Sequence, residues 1–400
     1  MRGELLLDIS RLVGRLAKGR LPTGVDRVCL AYVVQFASRA QAVVQKGGWR
    51  RILPYRQSQE LFGLLRNPGP GFLLDVARLV AHGYMTPWSS QEPNGRVYFN
   101  LGHSGLEQAG IASWISRNRL KAVFMVHDLI PMTHPEYCRP GERVRHIGRM
   151  RTVLTSGAGV LANSQATLRE LQQFAGAEGL VLPQAAVAPL AAAALPLPVD
   201  STPPLPRPYF VVVGTIEPRK NHLMLLNMWR ELATRLGDRV PHLVVIGQRG
   251  WECENVADML ERCQALKGVV HELNACSDAE LARYLGHARA LLFPSFAEGY
   301  GMPLAESLMV GTPVIANDLP VFREVAGTVP DYIDALDGPG WACAVRDYAS
   351  PDSPSRAAQL QRMAQYEAPT WTRHFEKVEL LLQRLQSGPD YTGRPHRAFS

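Results

Sequence analysis

The chain of 400 residues alternates short apolar runs with amphipathic helical stretches almost throughout. This alternation is typical of α/β folds, in which helices connect buried parallel strands. A chain of this length exceeds one ordinary core and predicts two domains of roughly 150 to 200 residues each. We therefore expect two doubly wound, Rossmann-like α/β domains facing a cleft, with a ligand site at the carboxyl ends of the strands.

A proline-rich stretch, VAPLAAAALPLPVDSTPPLPRP at 187–208, interrupts the alternation. Proline removes a helical hydrogen bond, so this stretch predicts a linker or hinge. After the second domain we expect a helix that crosses back to the first domain, and then a disordered tail. The first domain, linker, second domain, late helix and tail are predicted at 1–195, 196–208, 209–368, 369–386 and 387–400.

Apolar runs and helical periodicity locate the individual elements. Strands are predicted at Glu4–Ile9, Ala42–Gln45, Val97–Leu101, Ala122–Val126, Gly159–Ala162, Tyr209–Val213, His242–Ile246, Val269–Leu273, Ala290–Phe293 and Thr312–Ile315. Helices are predicted at Arg27–Ala40, Gln59–Leu65, Leu73–His82, Ala166–Phe174, His222–Leu236 and Thr370–Leu385. Ser164 and Ser277 are expected to cap the helices that follow them.

Composition indicates a globular chain, with 46% hydrophobic and 20% charged residues. The net charge of +7 is compatible with phosphates or an anionic membrane surface and does not call for a nucleic-acid partner. The 6 cysteines are scattered without a C-x-x-C pair, which favours a reducing compartment. No run approaches the ~18 apolar residues of a membrane span, and MRGELLLDIS lacks a signal-peptide core. We expect a cytoplasmic protein, at most peripheral at the inner face of the membrane.

The stretch FAEGYGMPLAES at 296–307 has a glycine-rich turn that runs into a helix. Gly299 and Gly301 permit a tight turn with close approach of the backbone to a ligand. Pro303 suits the first helical position, so the positive helix end would form a cradle for a phosphate or diphosphate.

Two acids, Glu298 and Glu306, lie on either side of this turn. Carboxylates repel a diphosphate, so we expect them to bind sugar hydroxyls on either side of the phosphates. The alternative is helix capping, because acids near a helix N-terminus stabilise the helix without any ligand.

A second motif, VGTIEPRKN at 213–221, follows a predicted strand of the same domain. Gly214 permits approach of the backbone to a ligand. Arg219 and Lys220 offer the positive charge that a leaving diphosphate needs. A basic pair on a loop is often only solvated, but this one ends a strand in the domain that holds the glycine-rich turn.

Three further segments accompany these two motifs: FPS at 293–295, GTPVIA at 311–316 and VHD at 126–128. Together they resemble the E-x7-E signature of retaining glycosyltransferases of family 4, which have the GT-B fold. The resemblance covers most of the chain in the right order and is most specific in the C-terminal half. It implies a bacterial polysaccharide or lipopolysaccharide type of glycosyltransferase that transfers a hexose from a nucleoside diphosphate donor.

The resemblance also implies roles for individual residues. Glu298 would bind the hydroxyls of the donor sugar, Glu306 the nucleotide ribose and Lys220 the diphosphate. His127 would lie beside the anomeric carbon and would be catalytic together with Glu298, Lys220 and Arg219. The implied donor-binding residues are Gly24, Gly214, Thr215, Leu273, Asn274, Glu298, Gly299, Tyr300, Gly301, Met302, Pro303, Leu304 and Glu306.

Two positions depart from the family pattern. Many members carry arginine where this chain has Thr215, so Arg219 would supply the second positive charge. The family often has glycine at the position of Asn274, which leaves the nucleobase open, while the VGTIEPRKN motif favours GDP-mannose as the donor.

The resemblance implies retention of configuration, with a donor phosphate oxygen taking the acceptor proton. No Asp-x-Asp motif occurs, so we expect neither a metal nor another cofactor. The expected partners are the nucleotide-sugar donor and a glycan or lipid-linked oligosaccharide acceptor.

Four residues are candidates for the acceptor side: Asp26, Arg27, His103 and Asp128. Helix capping explains Asp26 equally well, and a lone histidine such as His103 is more often structural. A segment at 139–151 carries five arginines, which suggests either weak association with an anionic membrane or a solvated helix.

Other functions are compatible with the same two-domain cleft. A nucleotide-sugar epimerase would need no acceptor, and a glycan phosphorylase would release a sugar phosphate. A non-catalytic partner subunit would not bind the donor. A dinucleotide oxidoreductase is disfavoured because no G-x-G-x-x-G follows the first strand of either half.

Overall fold

The computed structural model describes residues 3–19, 23–69, 71–85, 95–193, 195–196 and 202–387. These residues form two compact units. Unit 1 takes the described residues within 1–132, 141–190 and 371–387, and unit 2 takes those within 133–140 and 191–370. The predicted tail beyond residue 387 lies outside the described residues. The roles of acceptor domain and donor domain stay predictions.

The strands of both units are short and apolar, and most of their residues are buried. Those of unit 1 are β1 Leu5–Asp8, β2 Ala40–Lys46, β3 Trp49–Ile52, β4 Val97–Asn100, β5 Lys121–Val126, β6 Gly159–Ala162 and β7 Gln184–Val187. Those of unit 2 are β8 Tyr209–Val213, β9 His242–Ile246, β10 Val270–Leu273, β11 Leu291–Phe293, β12 Val314–Ala316 and β13 Asp331–Tyr332.

Helices connect these strands. Up to the end of β7 they are α1 Ser10–Leu16, α2 Gly24–Phe36, α3 Tyr55–Arg66, α4 Phe72–Met85, α5 Ile111–Arg117, α6 Ile130–Thr133, α7 Glu142–Ser156 and α8 Gln165–Ala177. After β8 they are α9 His222–Leu236, α10 Glu254–Arg262, α11 Asp278–Gly286, α12 Met302–Met309, α13 Pro320–Ala326, α14 Gly338–Ala349, α15 Pro354–Met363 and α16 Trp371–Ser387.

The two sheets have the doubly wound order that the alternation predicts. The described strands of unit 1 are ordered β3-β2-β1-β4-β5-β6-β7, and all neighbours except β2 and β3 run parallel. Those of unit 2 are ordered β10-β9-β8-β11-β12-β13, and every pair is parallel. In each sheet the order reverses beside the first strand of the unit, which is where such folds place their ligands.

Apolar side chains from strands and covering helices fill each unit. In unit 2, Phe210 of β8 packs edge to face against Trp229 of α9, whose indole N–H donates to the carbonyl of Pro241 at 2.8 Å. Both side chains are fully buried. A buried indole pays little desolvation penalty when its N–H is bonded in this way.

Helix α16 belongs to unit 1, although it lies at the far end of the chain. The Nδ1 atom of His374 lies near two main-chain carbonyl groups, at 3.1 Å from the carbonyl oxygen of Ala188. Its Nε2 atom lies 2.9 Å from the hydroxyl oxygen of Tyr32. Because a carbonyl only accepts, Nδ1 carries the hydrogen and Nε2 accepts from Tyr32. Burial lowers the pKa of His374 to about 4, so the ring stays neutral near pH 7. Phe375 packs beside it against the Tyr32 and Phe36 rings.

The structure corrects four predictions from the sequence. Helix α2 begins at Gly24 and not at Arg27, because Thr23 and Asp26 form a capping box. Strands β3, β7 and β13 have no counterpart among the predicted strands; β3 pairs antiparallel with β2 across a Gly47-Gly48 turn in which both residues have positive φ.

The other two corrections concern a helix start and a domain boundary. Pro303 is the second residue of α12 and not the first, since Gly301 is the N-cap. Residues 133–140, predicted within the first domain, belong to unit 2. The predicted caps are confirmed, since the Ser164 and Ser277 side chains accept from Thr167 N–H and Glu280 N–H.

We predict that Phe375→Ala lowers the free energy of unfolding of unit 1 by about 3 to 5 kcal/mol, because a buried ring is replaced by a cavity. The side chain is only 7% exposed and contacts the aromatic cluster of α2. Leu380→Ala on the same helix, at a position 46% exposed, is the matched control and should have a small effect. Urea unfolding of both variants measures the difference, and equal midpoints would contradict the role of α16.

Candidate functional site

The two motifs of unit 2 meet because their strands are neighbours. β8 and β11 pair in parallel, with Leu291 opposite Val211. The loop after β8 carries Arg219 and Lys220, and the loop after β11 carries Glu298. Carboxyl ends of parallel neighbours lie at one edge of the sheet, so these loops are brought together there.

An ion network joins the two loops. Both cations bind Glu298: Arg219 Nη1 lies 2.8 Å from Oε2, and Lys220 Nζ contacts Oε1. Arg219 also pairs with Glu217 through Nε, and its Nη1 donates to the carbonyl of Ala297 at 2.9 Å. Of the residues predicted to be catalytic, the structure therefore brings Glu298, Arg219 and Lys220 into direct contact.

Burial and the neighbouring charges together set the pKa values in this network. Burial alone would raise the pKa of Glu298, but Arg219 and Lys220 outweigh it and hold that pKa at about 2. Burial and the Arg219 charge lower the pKa of Lys220, while Glu298 and Glu217 oppose that shift. Burial raises the pKa of Glu217 in spite of the two cations. Two acids and two bases thus share one largely buried site, in which Arg219 is half-buried and each charge is offset by a neighbour.

Two glycines in these loops have a packing reason for being glycine. Gly214 has a φ of 147°, and a Cβ there would lie 3.3 Å from Lys220 Cε, so the glycine leaves room for the lysine stem. Gly301 has a φ of 97°, and a Cβ there would lie 2.7 Å from Phe322 Cε1. The sequence predicts that the backbone approaches a ligand at both glycines; their positive φ values favour glycine even without a ligand.

Helix α12 begins directly after the loop of Glu298. The start of the helix is buried at Tyr300, Leu304 and Glu306. The positive end of its macrodipole therefore lies next to residues 298–301, as the anion-cradle hypothesis requires. Contacts of Gly299, Met302 and Pro303 with a diphosphate stay predictions.

The other predicted donor residues of unit 2 lie on strands or loops nearby. Thr215 follows Gly214 and is half-buried. Leu273 ends β10, where its carbonyl accepts from Gly247 N–H at 3.0 Å, and Asn274 follows as an exposed residue. β9 separates β10 from β8 in the sheet, so these two residues lie one strand further from the ion network.

Three histidines cluster at the strand ends of unit 1. His127 follows β5, His103 follows β4, and their ring centroids are 5.6 Å apart. His146 of α7 lies 5.8 Å from His103 on the other side. His103 has a left-handed backbone with a φ of 58°, a strained conformation that fixes the direction of its side chain.

Main-chain carbonyls fix the tautomers of these rings. His127 Nε2 contacts the carbonyl of Leu101 at 2.6 Å, and His103 Nε2 contacts that of Met125 at 2.7 Å. Since carbonyls only accept, both Nε2 atoms carry hydrogen, and the Nδ1 atoms of the neutral rings are acceptors. Burial lowers the pKa of both rings, and for His103 the neighbouring imidazoles lower it further. Neutral acceptors of this kind suit hydroxyl ligands.

The remaining residues predicted in unit 1 have structural partners. Asp128 accepts from Ile130 N–H at 3.1 Å. Asp26 closes the capping box of α2 and pairs with Arg11 and Arg15 at 2.8 and 2.9 Å.

Gly24 and Arg27 lie in the same first turn. Gly24 is the first residue of α2 and is separated from β1 by α1. Arg27 is half-buried on α2. Donor binding by Gly24 and acceptor binding by Arg27 stay predictions.

Ion pairs neutralise much of the basic segment. Arg149 bonds to Glu107 and Glu142, and Arg145 also pairs with Glu142 at 2.8 Å. Arg151 bonds to Glu178 at 2.7 Å. These arginines contact protein carboxylates, which weakens the hypothesis that they attract a membrane.

The described residues contain no group of three His, Cys, Asp or Glu side chains placed to hold a metal ion. No helix among them is both long enough and apolar enough to cross a bilayer.

Sequence reasoning missed three contributors. Glu217 completes the ion network, Phe293 lies beneath Lys220 with Nζ 5.2 Å from its ring centroid, and His146 joins the histidine cluster. The position of Glu217 within the EPRK motif was a usable signal. His146 had none, because it is brought to His103 from a separate helix.

We predict that the Glu298 network stabilises the fold in a pH-dependent way. The pKa of Glu298 is lowered from 4.5 to about 2, so its contribution is complete above pH 4.5 and is lost as the pH falls towards 2. The shift corresponds to about 3 kcal/mol. The difference in unfolding free energy between the wild type and Glu298→Gln should therefore shrink by about that amount between pH 7 and pH 2. A constant difference in denaturant unfolding would contradict this.

Comparison with known proteins agrees with the motifs. Residues 198–328 match the family described as glycosyl transferases group 1. The chain is 31% identical over 231 residues to a serotype-specific mannosyltransferase WbdA of Escherichia coli, covering 51% of this chain and 27% of that protein. It is 29% identical over 263 residues to O-antigen chain mannosyltransferase B of Escherichia coli, covering 63% of this chain and 67% of that protein. The chain thus spans about a quarter of the length of this WbdA.

Solved structures with the same fold cover nearly the whole chain. HepE of Anabaena in complex with UDP has a TM-score of 0.63 at 16% identity, over 96% of this chain and 100% of that one. Sucrose-phosphate synthase of Thermosynechococcus elongatus has a TM-score of 0.62 at 15% identity, over 91% and 93%. The assignment to family 4 stays a prediction. We conclude that the chain has the GT-B fold, as the sequence resemblance predicted, and that its residues 198–328 are similar to the glycosyl transferases group 1 family.

Proposed function

We propose that this protein is a hexosyltransferase that moves a sugar from a nucleoside diphosphate donor to a glycan or lipid-linked saccharide in surface polysaccharide synthesis. The observation that carries the proposal is the contact of Glu298 with Arg219 and Lys220 inside the group 1 domain. The O-antigen mannosyltransferases to which the chain is similar support the class of product.

The network has the donors and acceptors that a nucleotide sugar needs. An ammonium group has three N–H donors and a guanidinium has five, so Lys220 and Arg219 can bind Glu298 and still donate to a diphosphate. The two oxygens of Glu298 have further lone pairs for sugar hydroxyls. Glu306, buried one turn into α12, is assigned to the ribose in this proposal.

The reaction follows from where charge develops. The bond between the anomeric carbon and the phosphate oxygen breaks, and the acceptor hydroxyl oxygen bonds to the same carbon. Its proton passes to a donor phosphate oxygen, so no protein base is needed. Arg219, Lys220 and the positive end of α12 stabilise the negative charge that grows on the diphosphate. Attack from the face of the leaving group gives retention.

The donor in this proposal is GDP-mannose, and the reaction requires no metal. Support for mannose comes from the VGTIEPRKN motif and from relatives that are mannosyltransferases. Support for metal independence comes from the sequence, which has no Asp-x-Asp motif. The neutral histidines His103 and His127 are assigned to sugar hydroxyls. The protein would act in the cytoplasm, with weak association at the inner face of the membrane.

A thermal-shift screen of nucleoside diphosphate sugars identifies the donor. A ligand that binds only the native state raises the melting temperature, by an amount equivalent to about 2.7 kcal/mol at 100 times its Kd. We expect GDP-mannose to give the largest shift. A larger shift with a uridine diphosphate sugar would correct the donor but keep the reaction class.

Glu298→Gln tests the catalytic site. Loss of the carboxylate removes the group assigned to the donor sugar, so we expect sugar transfer to fall by at least about 100-fold while circular dichroism remains native. The matched control is Glu261→Gln, an exposed acid of unit 2 that also pairs with an arginine, Arg249. This control should retain full transfer. Near-normal turnover by Glu298→Gln would disprove the assigned donor site.

A further inference from the structure

The segment at 133–140, THPEYCRP, belongs to unit 2, although the residues on both sides of it in the chain belong to unit 1. It lies between α6 and α7 and contains a single 3-10 turn, Pro135–Tyr137. Nothing in the proposed reaction uses it. Its contacts with the loop of Glu298 nevertheless give it a place in the site.

Local hydrogen bonds fix the shape of this segment. Tyr137 N–H donates to the carbonyl of His134 at 3.1 Å, and Cys138 N–H donates to that of Pro135 at 3.1 Å. Proline at the start of the turn sets its φ in advance, which lowers the entropy cost of forming it. The turn places the Tyr137 ring parallel to that of His134, with centroids 6.1 Å apart and planes at 14°.

The Tyr137 ring also stacks on that of Phe296. The ring centroids are 5.4 Å apart and the planes differ by 9°. Phe296 lies two residues before Glu298, and its N–H donates to the carbonyl of Arg219 at 2.8 Å. Phe296 therefore belongs to the loop of Glu298, and its main chain is hydrogen-bonded to the loop that carries Arg219 and Lys220.

Trp251 makes a second contact with the segment at 133–140. Trp251 donates its indole N–H to the carbonyl of Tyr137 at 3.1 Å. The Arg139 guanidinium lies 5.2 Å from the centroid of the Trp251 ring, a cation–π distance. Trp251 thus contacts the segment at two points, the Tyr137 carbonyl and the Arg139 guanidinium. These contacts help to hold Tyr137 against Phe296, in addition to the stacking of the two rings.

We propose that Tyr137 is a positioning residue, which holds Phe296 and so fixes the place of Glu298 relative to Arg219 and Lys220. Tyr137 contacts Phe296 and Trp251, and it acts on the acid through Phe296. The inference that Tyr137 affects sugar binding rests on the proposed function. The inference that Tyr137 holds the loop of Glu298 in place is independent of the proposed function.

Hydrogen–deuterium exchange of peptides covering residues 295–301 tests the effect on the loop. Loss of one aromatic pair should speed exchange there by about 2- to 10-fold in Tyr137→Ala. Tyr137→Phe keeps the ring and should exchange as the wild type does. Tyr284→Ala is the matched control, since Tyr284 is a half-buried tyrosine of unit 2 that packs on Tyr209 instead. Unchanged exchange in Tyr137→Ala, or equal change in the Tyr284 control, would overturn the proposal.

Binding and turnover separate positioning from general loss of structure. If Tyr137 places Glu298, kcat/KM for the donor falls by about 2- to 10-fold in Tyr137→Ala, while the Kd of the sugar-free nucleoside diphosphate stays the same. Tyr137→Phe restores kcat/KM. Equal weakening of nucleoside diphosphate and donor would overturn the positioning role. A wild type without transfer activity would refute the proposed function, and the exchange result would still decide whether Tyr137 holds the loop.

Discussion

The buried contact of Glu298 with Arg219 and Lys220 is the interaction on which the rest of the site depends. Removing two cations and a carboxylate from water costs several kcal/mol per ion unless each finds a partner. Here the loops after β8 and β11 supply each other's partners, and Glu217 adds a second carboxylate. Each loop thus supplies charged partners to the other. Loss of any one of these groups leaves a charge in the site without its partner.

The sheet makes this contact possible. Glu298 and Lys220 are 78 residues apart in the chain, and the parallel pairing of β8 with β11 brings the ends of their strands to one edge. Gly214 then leaves space for the Lys220 stem, and the Phe293 ring lies below its ammonium group. Side chains that do no chemistry therefore determine where the charged groups lie.

Unit 1 has neutral histidines at its strand ends, where unit 2 has paired ions. Its clustered histidines are buried or half-buried, and burial lowers the pKa of all three rings, although Asp128 opposes this shift for His127 and His146. Carbonyls at strand ends hold the Nε2 hydrogens, which leaves acceptor nitrogens and no net charge. One unit thus concentrates compensated charge, and the other concentrates neutral acceptor nitrogens.

The sequence by itself determined the two α/β units, most strand positions and the helix caps, because apolar periodicity and capping residues act over a few neighbouring residues. It also predicted Glu298, Arg219 and Lys220 as site residues, because their motifs are local. Only the tertiary structure decided that the cations bind the acid directly, that His146 joins His103, and that residues 133–140 belong to unit 2. These contacts join distant parts of the chain, and their geometry is set by strand order and packing, which no local pattern encodes.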